Sequence, residues 1–266
     1  MAKRSPSRTS RDETISTGTS LRLYRIPGIP EIQRGEDLGK CISEAARRAG
    51  ISFESGDILV IAQKIVSKAE GAVIRLAKIR PSPEAHAISA RLKKDARAVE
   101  VVLKESRRIV RSYPVLIVET RHGFVCANAG VDHSNVPGDD AVTLLPRNPD
   151  RSAKKLAVAL RKRTGKRVAV IISDTFGRPW RLGLRNVAIG AAGLPVLLDL
   201  RGTRDRHGKL LTGTILAVAD ELAAAAGLLM GKSEGTPVVV IRGCHYKRAS
   251  EPAVRIIRPA AEDLFR

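Results

Sequence analysis

Aromatic side chains are almost missing from this chain: four Phe, three Tyr and one Trp make up 3% of 266 residues. So few rings leave few platforms for stacked bases, and no nucleic-acid-binding motif is present, which weighs against a basic nucleic-acid-binding protein. Cysteine is equally sparse. Cys41, Cys126 and Cys244 are odd in number and form no CxxC or Cys/His cluster, which argues against a disulfide framework and a structural zinc site and leaves them as packing residues. The five histidines fall at no metal spacing, and there is neither a GxGxxG fingerprint nor a Ser/His/Asp hydrolase elbow. Long apolar runs are missing too: the longest, 222–230, is too short to cross a bilayer, and no apolar stretch follows the N-terminal charges as a secretory signal requires. A cytoplasmic protein with no membrane partner is expected. Acidic residues are the last scarcity, 27 against 47 basic ones, for a net charge of +20. Such a surface attracts polyanions, whether nucleic acid, nucleotides or a phosphorylated substrate.

What is present includes 43% apolar residues, ample for the core of one large or two small domains. Residues 1–20, with Lys3, Arg4, Arg8 and Arg11 among Ser and Thr, are expected to form a disordered basic tail before a catalytic unit over 21–266. The pattern predicts a strand over 21–25, a loop over 28–32 whose two prolines forbid regular structure, and a helix over 37–48 stopped by Gly50. Runs at 58–62 and 167–173 are apolar without alternation, as in strands covered on both faces, and 237–242 is a last strand. Helices are expected over 83–94, 96–111, 152–164 and 215–230, with a hairpin over 114–120 and 124–127 around His122 and Gly123. With no internal repeat and no linker, helices and strands interleave in one unit, in one lobe or two.

Two polar segments stand out, NAGVDHSN at 128–135 and SDTFGRPWR at 173–181. Each puts an aspartate, Asp132 or Asp174, just past an apolar run and inside a Gly-containing turn. Capping a turn would explain either aspartate alone. The neighbours point further: Asn128, Ser134 and Asn135 flank the first, while Thr175, Arg178 and Arg181 follow the second. Mg²⁺ prefers hard oxygen ligands and Arg clamps phosphate at two points, so the combination fits phosphoryl chemistry at a metal–nucleotide site. Lys64 and Lys68, in QKIVSKAEG after a buried strand, are placed for phosphate contact, and arginines at 178, 181, 185, 201, 204 and 206 add to an anion-attracting surface. MGKSEG at 230–235 spells GKS but is no P-loop, because Ala226 stands where a glycine is needed and the helix precedes the loop. Its glycines can still wrap a phosphate through backbone N–H groups, with Glu234 as a further carboxylate.

Taken in order, GIPEI, VIAQKIVSKAEG, NAGVDHSN, GKRVAVIISDTFGRPWRLG, NVAIGAAG, DELAAAAGLLMG and PVVVIRG resemble the coenzyme F420-0:L-glutamate ligases, which attach glutamate to the deazaflavin coenzyme F420, over about residues 21–245. The resemblance implies an α+β fold of mixed sheets and interleaved helices, two-lobed, in an intertwined homodimer with the nucleotide in a cleft near the interface. It implies dependence on GTP and on Mg²⁺ or Mn²⁺, with K⁺ as a further ion, and coenzyme F420-0 and L-glutamate as the other substrates. The phospholactyl carboxylate would be phosphorylated by GTP, and the amino group of glutamate would then displace phosphate. Carried over motif by motif, Asp132, Asp174 and Thr175 resemble the metal ligands; read from the residues themselves, Glu234 is a substitute metal ligand through a loop shift, and Arg178 is a catalytic candidate beside the two aspartates. Ile29, Pro30, Glu31, Ile32, Gln63, Lys64, Lys68, Asn135, Met230, Gly231, Lys232, Ser233 and Gly235 resemble nucleotide contacts. Gln63 and Lys64 depart from the small hydroxyl residues of some members, and Lys232 stands where an acidic or amide ligand would fit. The competing ligase is a nucleotide-dependent one that forms an amide on another phosphorylated carboxylic acid.

Overall fold

The computed structural model of the chain describes residues 15–133, 140–231 and 234–263. Its centre is a five-stranded sheet in the order β1 (Ile15–Arg25), β12 (Val238–Tyr246), β2 (Ile58–Ala62), β8 (Ala169–Arg178) and β9 (Arg181–Ala192). Only the β2–β8 pair is parallel; the other neighbours are antiparallel. Unbroken apolar runs in β2 and β8 follow from cover on both faces. Ile61, Val170 and Ile172 face α1 (Leu38–Arg48) and α5 (Pro149–Thr164) through Ile42, Ala45 and Leu160. Ile58, Val60 and Ile171 face α6 (Val218–Met230) through Leu222, Ala223 and Ala226. Each such aliphatic side chain contributes about 1.5–3 kcal/mol on burial.

Local signals set the helix ends. Asp37 caps α1 by accepting from the Lys40 N–H at 2.9 Å, and Asn148 caps α5 by accepting from Arg151 N–H at 2.9 Å. Pro149 opens α5, three basic residues fill its last turn, and Gly165 ends it at φ 71°. Gly190 lets α5 start directly on the sheet, since a Cβ there would lie 2.5 Å from the Pro149 carbonyl carbon.

A smaller lobe is inserted between β2 and β8, reached through α2 (Gln63–Ala69). It pairs β3 (Val73–Arg75) with β7 (Ala141–Thr143), and stacks β4 (Ser106–Arg111), β5 (Ile117–Thr120) and β6 (Val125–Ala127) in a separate antiparallel sheet. With α3 (Pro83–Leu92) and α4 (Ala96–Lys104), these strands enclose a core of their own around Leu76, Ile88, Val99, Leu116 and Val118. After β9 a short hairpin of β10 (Leu198–Asp199) and β11 (Ile215–Leu216) carries the charged loop. The architecture is α+β with mixed sheets, as expected. Among the described residues no helix is long and apolar enough to cross a membrane.

Four expectations are corrected. The helix expected over 96–111 ends at Lys104, because Ser106–Arg111 pairs with β5 as β4. The opening strand begins at Ile15 rather than residue 21, since β12 is long enough to pair with it; of the expected tail, residues 1–14 lie outside the described ones. The helix expected from residue 215 begins at Val218, because Ile215–Leu216 pairs with Leu198–Asp199 as β11. Asp174 does not follow β8 but sits within it, opposite Val187 of β9, so the strand extends past the predicted turn.

Candidate active site

A cleft of about 600 Å³ opens where β2 ends, between the central sheet and the smaller lobe. One wall is the β8–β9 ladder. A register shift between Ile172 and Ser173 sets one extra residue on β9 just before Asp174, and such a bulge re-aims the side chains that follow. Thr175 Oγ1 bonds Asn186 Oδ1 at 3.1 Å, and Asn186 Nδ2 in turn reaches Met230 Sδ at 3.4 Å, so this wall is tied to the end of α6. Phe176 packs edge-on against Phe124 of the smaller lobe, their centroids 6.2 Å apart.

The opposite wall turns on three consecutive left-handed residues, Asn128, Ala129 and Gly130, at φ 51°, 55° and 70°. Lys94 Nζ donates to Asn128 Oδ1 at 2.9 Å, and buried Leu145 closes over Gly130. The turn delivers Asp132, whose backbone exchanges two hydrogen bonds with Thr143 of β7, at 3.1 and 2.9 Å. From the floor, α2 sends up two lysines one helical turn apart. Lys64 Nζ lies 2.7 Å from Asp132 Oδ2, and buried Lys68 is paired with Glu31 of the 28–32 loop. Gln63 is held by Ser67, whose hydroxyl donates to Gln63 Oε1 at 2.7 Å. At the rim, Gly231 and Gly235 adopt φ 60° and 64°, which glycine takes without strain.

The cleft therefore mixes ammonium groups with carboxylates and hydroxyls. Its donor set suits a hard divalent cation: Asp132 and Asp174 offer carboxylates, Thr175 a hydroxyl, and the buried Ser173 Oγ has no hydrogen-bond partner. Among the described residues no three His, Cys, Asp or Glu side chains cluster, so this is no closed protein cage. Mg²⁺ characteristically takes one or two carboxylates and fills its remaining positions with water and substrate phosphates. Burial, with Asp174 adding to it, pushes the Cys126 thiol up to about 12, which keeps it in the un-nucleophilic thiol form at neutral pH.

Of the predicted site residues, Ile29, Pro30, Glu31, Ile32, Gln63, Lys64, Lys68, Asp132, Asp174, Thr175, Met230, Gly231 and Gly235 all line this cleft. Arg178 does not line it: its guanidinium donates to Leu182 O at 3.2 Å within the β8–β9 hairpin. Glu234 also lies off the lining, 3.4 Å from the Arg25 guanidinium. Asn135, Lys232 and Ser233 are outside the described residues. Phe176, Leu184 and Asn186 line the cleft without having been singled out. Asn186 opens the NVAIGAAG motif, but its place in the cleft follows from strand register, which sets it opposite Thr175.

Residues 28–243 match the family model described as F420-0:Gamma-glutamyl ligase. Over 250 residues the chain is 48% identical to the coenzyme F420:L-glutamate ligase of Methanothermobacter thermautotrophicus, covering 92% of this chain and 99% of that protein. The protein of the same name from Methanopyrus kandleri is 49% identical over 253 residues, covering 93% and 98%. That of Archaeoglobus fulgidus is 42% identical over 248 residues, covering 92% and 96%. The matched span contains both walls, the floor and the rim of the cleft, and the chain belongs to the F420-0:gamma-glutamyl ligase family.

Proposed function

We propose that this protein is a cytoplasmic, GTP-dependent ligase that joins L-glutamate to the phospholactyl carboxylate of coenzyme F420-0 through an acyl phosphate. The observation that carries the reading is the convergence of Asp132, Asp174, Lys64 and Lys68 on one cleft, together with the names of the relatives that match nearly the whole chain. A carboxylate is a poor electrophile. In the first step its oxygen attacks the γ-phosphorus of GTP, forming a P–O bond as the bond to GDP breaks. In the second the amino nitrogen of glutamate attacks the acyl carbon, phosphate leaves, and the nitrogen loses a proton.

A divalent cation held by Asp132, Asp174 and Thr175 would supply charge neutralisation on the phosphoryl oxygens during transfer. The remaining work falls to the chain itself. Lys68, buried and anchored by Glu31, offers a fixed positive charge to the phosphates. The glycines of the 231–235 turn allow backbone to approach them closely. Incubation with F420-0, GTP, L-glutamate and Mg²⁺ or Mn²⁺, with and without K⁺, followed by mass spectrometry, should detect glutamyl addition. No product with either metal would overturn the reading. Product from another phosphorylated carboxylic acid instead would keep the chemistry and change the substrate.

A homodimer belongs to the same proposal. The tip of the β8–β9 hairpin stands out of the fold with Trp180, Leu182 and Leu184 at 87%, 100% and 65% exposure, an apolar group that a second copy would cover. Light scattering should give a dimer for the native chain and a monomer for Leu182→Glu. A native monomer removes the proposal, and a dimeric variant moves the interface elsewhere.

A further inference from the structure

The contact between Lys64 and Asp132 places an ammonium on a carboxylate that a divalent cation would also need. Lys64 is the second residue of α2, directly after β2, and Asp132 comes from the other lobe, so the pair spans the cleft. The lysine side chain is 17% exposed and its nitrogen sits 2.7 Å from Asp132 Oδ2. A cation bound to that carboxylate at about 2.1 Å would lie within about 5 Å of the ammonium, and two like charges so close in a partly buried site repel strongly. The two charges therefore compete for Asp132. The lysine stem is flexible, and the phosphate chain of a nucleotide in the same cleft would offer it another strong anion.

We infer that Lys64 is a positioning residue with two alternative partners, holding Asp132 in place until a divalent cation displaces it and then turning to the nucleotide phosphates. The inference rests on the reading of the cleft as a cation–nucleotide site. It makes cation and nucleotide binding cooperative beyond any direct bridge between them, because loading the cation weakens the lysine's hold on Asp132 and favours its turn to the phosphates. Lys68 is the internal control. It lies one turn along the same helix, carries the same charge, but is paired with Glu31 rather than with an aspartate of the proposed cation site.

The test uses full-length protein and two probes, Mn²⁺ and GDP. Mn²⁺ binding to the nucleotide-free protein, followed by electron paramagnetic resonance of the free ion, should be about fivefold or more tighter in Lys64→Met than in the native chain, a coupling of ordinary allosteric size. Lys68→Met should leave it within about twofold, and Lys64→Arg, which keeps the competing charge, should not tighten it. Calorimetry of GDP should show Lys64→Met weakening binding more with saturating Mn²⁺ present than without it. Equal tightening by both methionine variants would reduce Lys64 to a general field effect, and weaker Mn²⁺ binding in Lys64→Met would make it a mere prop for Asp132; either overturns the inference. Should the native chain bind neither Mn²⁺ nor GDP, the reading of the cleft fails first. Thermal melts of each variant identify any that does not fold, and Lys64→Gln then replaces Lys64→Met.

Discussion

Asp174 and Asp132 face one cleft from supports of opposite character. Asp174 rides on β8, whose preceding residues Ile171 and Ile172 are fully buried and laddered to β2 on one side and β9 on the other. Hydrophobic burial and strand pairing fix it together. Asp132 follows a turn in which Asn128 and Ala129 hold left-handed backbone, a conformation that costs about 1–2 kcal/mol for each non-glycine residue. Among the described residues its strand-like support is the isolated bridge to Thr143. The site is therefore half scaffold and half strained turn, and the halves should fail in different ways.

The largest effect expected is common to both. Asp174→Ala or Asp132→Ala should lower glutamyl addition by about 10³-fold or more, the scale on which lost electrostatic stabilisation of a transferring group is felt. Circular dichroism should remain native. Wild-type turnover in either variant would remove that aspartate from the proposed cation site.

Next come glycines that test the supports separately. At Gly130 an added Cβ would meet Cδ2 of the buried Leu145 at 2.7 Å, and the φ of 70° strains any L side chain there. Gly130→Ala should cost about 1–3 kcal/mol in urea denaturation, and should lower turnover by displacing Asp132. On the β8 side, Gly177 has open space where a methyl group would project and no left-handed φ, so Gly177→Ala should change stability by less than about 0.5 kcal/mol. Equal costs would erase the contrast between scaffold and turn.

The same contrast governs what could be read from the chain beforehand. β2 and the buried part of β8 announce themselves as unbroken apolar runs, and α1 through its spacing and the glycine at position 50. The strand β4 was hidden, because Ile109 continues the apolar spacing of α4 and only pairing with β5 decides between helix and strand. α2 is seven residues long, too short for its period to show. That Asp174 lies inside a strand depends on β9 continuing to pair beyond it, which is a tertiary fact. Most of the cleft lining was legible through motif order, since each motif contributes at least one lining residue. Arg178 and Glu234 were selected by charge and chain position; neither lines the cleft, Arg178 donating to Leu182 O and Glu234 lying 3.4 Å from Arg25, beside the rim residue Gly231.

The smallest effect probes a brace of the scaffold half. Asp220, in the first turn of α6, accepts the Ala188 N–H of β9 at 2.8 Å and so ties the helix to the strand that flanks Asp174. Burial raises its pKa above the ordinary 3.8, with the Ala188 hydrogen bond and the Arg185 charge opposing the rise. A carboxyl group whose folded pKa is raised contributes stability that is complete below its unfolded pKa and is lost as pH climbs through the folded one. At pH 7 the ionised group is thus a net burden, and Asp220→Asn, which keeps an oxygen for Ala188, should stabilise the protein by up to about 1 kcal/mol. The gain should shrink to nothing below pH 3.8, where both side chains are neutral. Paired urea denaturation of the native chain and the variant at neutral and acid pH isolates this term, because all other titrating groups are shared. A gain that persists in acid would come from the amide's own hydrogen bond, whereas a loss at pH 7 would mean that the α6 dipole and Arg185 outweigh burial, making the ionised carboxylate a true support of the Asp174 wall.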